Sequence, residues 1–267
     1  MRRMRKGKPM TEDRDTSHSG SAQTIDEVID RLQRIVEDAQ QADSPMGYFA
    51  ALYRSVTVAV KQKIEEGYFD DNARMERLDV IFANRYLDAY DAYRAGRSPA
   101  RSWKFAFDAA GRWPYIVLQH LFLGMNAHIN LDLGIAAARV APGGDIASLE
   151  NDFKKINTIL ISLIDEVERK LAEIWPMLRL LDWLALRSDE RLAAFSMEKA
   201  RDSAWQNAVE LAQCADASRG DRIDALDRKV LDYARLVSNP GVLTGSVFLL
   251  VRLGELGSAR RKVEALA

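Results

Sequence analysis

The stretch YIVLQHLFLGMNAHINLDLGIAAARV, residues 115–140, decides how this chain folds. It is long enough to cross a bilayer, for which about 20 apolar residues suffice. Yet Gln119, His120, Asn126, His128, Asn130 and Asp132 all fall inside it. An aspartate alone costs about 2.5–3.5 kcal/mol at the bilayer centre. The composition instead predicts a central helix of a globular bundle, covered by neighbours on nearly every side. Pro114 opens this helix and APGGD (141–145) closes it.

Outward from this helix the pattern stays helical. Thr24 and Glu27 make a capping box that starts a helix running to Gln41. Ser44-Pro45 starts a second, ended by Gly67; a third runs from Asp71 to Tyr93 and stops at Gly96. Ser98-Pro99 opens a short fourth. Beyond the central helix, Leu149, Phe153, Ile156, Leu160, Leu163, Val167, Leu171 and Ile174 step by threes and fours over 148–175. Pro176 breaks that helix, and further helices are expected to about Arg187 and over 189–215, 222–237 and 243–265. No run alternates apolar and polar residues between turn signals, so no sheet is expected. The fold class is all-α, a single domain over 24–267 of roughly eight to ten helices around the central one. Residues 1–23, basic and then polar, read as a disordered tail that includes His18.

Composition narrows the function. The 38 basic residues balance 39 acidic ones, so no electrostatic footprint for nucleic acid is present. One cysteine, Cys214, excludes a disulfide framework and reads as an inert thiol in a reducing, cytoplasmic setting. The basic start lacks an apolar core and does not read as a secretory signal. No glycine-rich nucleotide loop, G-x-S-x-G or C-x-x-C is present.

The polar groups of the central helix are ordered. On a helical wheel Gln119, Asn126 and Asn130 fall within about 40° of one another. His128 and Asp132, four residues apart, form a second stripe, with His120 about 80° away and Gly124 between the histidines. A histidine and an aspartate one turn apart can grip one metal ion or act as a hydrogen-bonded base pair. They can equally satisfy buried helix ends and one another. Five or six such groups on one buried helix, each costing about 1–3 kcal/mol if unpaired, keep the functional reading open. His120 and His128 are about 12 Å apart along the axis and cannot easily share one ion.

Other helices turn charge inward. Asp152 lies close to the apolar stripe of its helix, and Asp79 and Arg85 flank the stripe Met75, Leu78, Phe82, Tyr86, Ala89. A carboxylate on a core face is paired, protonated or on a metal. Pairing with Arg85 or Arg201 is one reading. The other gathers His128, Asp132, Asp79 and Asp152 as ligands for zinc, iron or manganese. Arg201 and Trp205, one turn apart, read as a helix-surface contact; Trp103 and Trp113 read as core.

The segments FANRY (82–86) and QHLFLGMNAHINLDLG (119–134), with Asp152-Phe153, resemble a bacterial family described only as a domain of unknown function. The likeness covers most of residues 45–215. It implies an all-α bacterial protein, no particular chemistry, and a site around His120, Asn126, His128, Asn130 and Asp132.

Three functions compete. The first is an enzyme with a buried helix-lined pocket. There His128, Asp132 and His120 are catalytic, and Gln119, Asn126, Asn130, Arg85 and Tyr86 hold a small substrate. With a metal it would activate water for hydrolysis. The HxxxD spacing is similar to that of the α-helical zinc phospholipases, but their three-metal site needs more histidines than this chain owns. The second is a terpene-cyclase-like magnesium enzyme, with Asp70, Asp71 and Glu76 as one motif and Asn151-Asp152 beginning another. Position 159 is Ile where that motif needs an acid. The third is a non-catalytic module that binds an apolar ligand or a partner helix.

Overall fold

A computed structural model describes residues 20–112, 115–174, 197–239, 252 and 257–267. The expected helix near 176–187, most of the one near 243–265, the break at Pro176, Trp113, Pro114 and the tail before residue 20 lie outside the described residues. Among the described residues every regular element is helical and none is a strand.

Local chemistry sets the ends. Helix α1 (Ile25–Gln41) begins on Thr24, whose hydroxyl accepts from the Glu27 N–H, while the Glu27 carboxylate accepts from the Gln23 N–H at 2.7 Å. Helices α2 (Gly47–Glu65) and α3 (Asn72–Arg94) both end on a left-handed glycine, Gly67 and Gly96, each with φ +70°. Tyr68 N–H returns to the Lys63 carbonyl and Arg97 N–H to that of Ala92, closing each end in the Schellman pattern. The residues that follow are α4 (Arg101–Ala109), α5 (Val117–Ala127), a π-helical turn (His128–Leu133) and α6 (Gly134–Val140). Next come α7 (Ile146–Ile174), α8 (Met197–Gln213), α9 (Asp216–Ser238) and α10 (Ala259–Leu266). Helix α9 starts six residues before the expected Arg222 and runs through Gly220.

Two carboxylates from distant helices cap others. Both oxygens of Asp152 on α7 accept N–H groups at the entry to α3, from Asp70 at 2.7 Å and Asp71 at 3.0 Å. Asp227 on α9 accepts the N–H groups of Arg101 and Ser102 and the Ser102 hydroxyl at the start of α4. Each supplies acceptors to orphan donors and negative charge to a helix N-terminus, so both can be buried at tolerable cost.

Helix α5, the π turn and α6 form one continuous rod, and α2, α3, α4, α7, α8 and α9 all pack against it. By length and composition the rod could cross a membrane, but 78% of its most apolar window is buried in the fold. Its ends serve two core regions. One unites α1 to α5 with Val263 and Leu266 of α10. The other unites α6 with α7, α8 and the ends of α2 and α3. Side chains such as Leu32, Leu121 and Leu149 are fully buried, each contributing roughly 1.5–3 kcal/mol. Gly124 is needed where α5 crosses α2, because a Cβ there would stand 2.6 Å from the Phe49 ring.

Candidate functional site

The π turn carries the His/Asp stripe. Such i→i+5 turns are rare, and they concentrate at functional sites. Nδ1 of His128 lies 3.4 Å from Oδ2 of Asp132. Asp132 is wholly buried, and both its oxygens have further donors: Arg85 Nε to Oδ1 and Trp103 Nε1 to Oδ2, each at 2.7 Å. One cation and one indole N–H therefore answer a carboxylate that would be costly alone. Burial lowers the His128 pKa, opposed by Asp132 and reinforced by Arg85. The ring is thus neutral, with its Nδ1 proton directed at Asp132 and a lone pair on Nε2. Phe82 stacks on it with ring centroids 3.6 Å apart, and Tyr53 meets it edge-on at 4.4 Å.

Beside this pair lies a cavity of about 440 Å³ bounded by α2, α3, the central rod, α7 and α8. Its wall is aliphatic and aromatic, from Phe49, Val56 and Leu78 round to Phe122, Ile129 and Leu160, and it includes Tyr53, Asp79, His128 and Arg201. The Tyr53 hydroxyl, Asp79 Oδ2 and His128 Nε2 are buried with no hydrogen-bond partner among the described residues. Burial pushes Asp79 up to about 7, helped by the charge of Glu76. Burial and then Asp79 raise the Tyr53 hydroxyl. Arg201 is buried, not on a helix surface as expected. It donates to the Phe153 carbonyl at 2.6 Å and to Asn157, and lies over the Phe153 ring rather than Trp205.

The remaining expected site residues go elsewhere. His120 lines a separate cavity of about 230 Å³ with Tyr48 and Tyr115. Burial, followed by the charges of Arg252 and Lys262, lowers its pKa to about 4. The amide stripe is used in construction rather than facing the large cavity. Gln119 accepts from Ile116 N–H, Asn126 donates to the Val230 carbonyl on α9, and Asn130 donates to Asn126. Tyr86 stands behind Phe49 and Trp103. Arg85 faces Asp132 and a surface cleft instead of the cavity. Cys214 is half-exposed beside the Ser218 hydroxyl.

The expected set His128, Asp132, Asp79 and Asp152 does not converge. Among the described residues no group of three or more His, Cys, Asp or Glu side chains is gathered closely enough to hold a metal ion. The reasons are local. Asp152 is tied to the start of α3, Asp132 is taken by Arg85 and Trp103, and Asp79 lines the cavity with no second carboxylate. The loose magnesium motifs do meet, but as ion pairs and caps. Asp70 accepts from Lys155 and Asn151, each at 2.5 Å, and Asp71 caps α3 through Arg74 N–H.

Tyr53, Phe49 and Trp103 were not singled out as site residues. Each lies on another helix, and only packing reveals that it touches His128 or Asp132. The available signal was the crowd of polar groups at 119–132, which contains the His128–Asp132 turn that these residues touch.

No curated protein and no solved structure shows significant similarity to the chain. A profile of a family of unknown function, DUF5995, matches residues 25–240, from the first helix to just past α9. That match covers most of the chain and all of the central rod, so the protein belongs to the DUF5995 family.

Proposed function

We propose that the protein takes up a predominantly apolar small molecule in the 440 Å³ cavity and carries out proton transfer at its polar end. The observation that carries this reading is the set of three buried polar atoms without partners among the described residues, Tyr53 Oη, Asp79 Oδ2 and His128 Nε2, on residues lining one apolar space. Unpartnered buried polar groups are rare, and an apolar pocket with a few polar groups is the ordinary form of a small-molecule site.

In this reading Asp132 orients His128 so that Nε2 presents a lone pair to the ligand. When a proton arrives there, the adjacent carboxylate stabilises the imidazolium. A positioned base of this kind contributes roughly 10²–10⁴-fold to a rate. Asp79, pushed up to about 7, exchanges a proton near neutrality, and the Tyr53 hydroxyl can donate to a ligand oxygen. Chemistry through a bound metal is not part of this reading, because Asp132 and Asp152 are already engaged and no group of three or more ligating side chains gathers with Asp79 among the described residues.

The test is a fluorescence titration with N-phenyl-1-naphthylamine, a neutral apolar probe. Saturable 1:1 binding is expected, with the cavity-filling variant Val56→Trp weakening it at least tenfold while keeping native helicity. Absence of saturable binding, or equal binding by Val56→Trp, would overturn the proposal.

A further inference from the structure

A third cavity opens beside Arg85 and Trp103, two partners of Asp132. This surface cleft of about 540 Å³ lies between the segment before α1, helix α3 and the end of α6, and Trp103 forms part of its floor. Asn84 fixes one wall, because its side chain exchanges two hydrogen bonds of 2.8 Å with the backbone of Ala22.

Three charged groups line the cleft. Arg85 gives its Nε to Asp132, its side chain is 28% exposed, and its terminal nitrogens have no partner among the described residues. Arg139 and Asp88 are exposed, and neither forms an ion pair or hydrogen bond among the described residues. With the charge of Arg85 balanced by Asp132, the open groups are the guanidinium donors of Arg85 and Arg139 and the carboxylate of Asp88. Val80, Ile81 and Pro99 supply an apolar wall beside them.

We infer that this cleft binds a small zwitterion: a free amino acid with an apolar side chain, its carboxylate on Arg85 and Arg139 and its ammonium on Asp88. A simple anion would meet Asp88 and a simple cation would meet the arginines, so a ligand carrying both charges fits best. The planar guanidinium fork suits a carboxylate. This site is separate from the apolar cavity and does not depend on what that cavity binds. The two spaces have no lining residue in common, and Asp132 links them, bonded to Arg85 and Trp103 of the cleft and to His128 of the cavity.

Trp103 supplies the readout, since its indole N–H bonds to Asp132 and its ring lines the cleft. The full chain, labelled with ¹⁵N and with the Trp103 indole resonance assigned, is titrated with leucine, with 4-methylpentanoate (no ammonium) and with leucinamide (no free carboxylate). Leucine is expected to shift the resonance saturably and to bind at least tenfold more tightly than either analogue. Arg139→Gln should weaken leucine at least tenfold, and Asp88→Asn should abolish its advantage over 4-methylpentanoate. No shift with leucine, or equal binding of all three compounds, overturns the proposal. So does leucine binding that both surface variants leave unchanged.

Discussion

Asp132 and His128 stand one π-helical turn apart, with 3.4 Å between Oδ2 and Nδ1, and they divide two spaces. His128 lines the apolar cavity, while Arg85 and Trp103, the other partners of Asp132, line the surface cleft. Disturbance of this node is the clearest route to testing the account.

Replacing Arg85 by Met leaves the Asp132 carboxylate buried beside only Trp103 and His128. Breaking one side of a buried ion pair costs about 3–5 kcal/mol. The partly exposed arginine places this case at the lower end. Because Arg85 lowers the His128 pKa, its removal should also raise it. Chemical denaturation gives the first quantity and a proton NMR titration of the ring gives the second; an unchanged or lower histidine pKa would contradict the assignment.

Trp103→Phe keeps the ring stack on Phe107 but deletes the N–H that reaches Asp132 at 2.7 Å. A hydrogen bond to a charged group is worth about 1.5–3 kcal/mol. Urea unfolding should show a loss in this range, and a loss well below 1 kcal/mol would mean that the bond contributes little.

Asp79 makes stability depend on pH with an unusual sign. Its folded pKa is raised to about 7 from the ordinary carboxylate value of 3.8. Between these values the folded chain holds a proton that the unfolded chain has released. Stability therefore falls as pH rises from about 4 to about 7 and levels off above that range. Asp79→Asn removes this slope and should melt higher than the wild type at pH 8, by an amount on the order of a few kcal/mol. Calorimetry of both proteins across this range checks it; parallel profiles would show that Asp79 is paired or hydrated.

Asp152→Ala separates capping from ligand binding. With two N–H groups at the start of α3 losing their acceptor, a loss of roughly 1–3 kcal/mol is expected. Binding of the naphthylamine probe should stay unchanged at temperatures where the variant is folded. Loss of probe binding in the folded variant would return Asp152 to the site.

The sequence made the scaffold largely legible, because caps and breaks have local causes. Thr24 with Glu27, Gly67 and Gly96 mark helix ends through bonds within a few residues, and the structure places those ends accordingly. The start of α9 lies earlier than expected, with Gly220 inside the helix, because a glycine weakens a helix only modestly. The site was legible only in part. The spacing of His128 and Asp132 is a local property, whereas Asp152, Asp132 and Asn126 take partners from 29 to 104 residues away in the chain. Inward-facing carboxylates look alike in sequence whether they cap a helix, pair with arginine or face a cavity.

The most direct test of the central claim is ¹⁵N NMR of the His128 ring with and without N-phenyl-1-naphthylamine. The account predicts a neutral ring protonated at Nδ1, with a bare Nε2 whose resonance moves when the amine N–H of the probe reaches it. A ring protonated at Nε2, or an Nε2 resonance indifferent to bound probe, would contradict it.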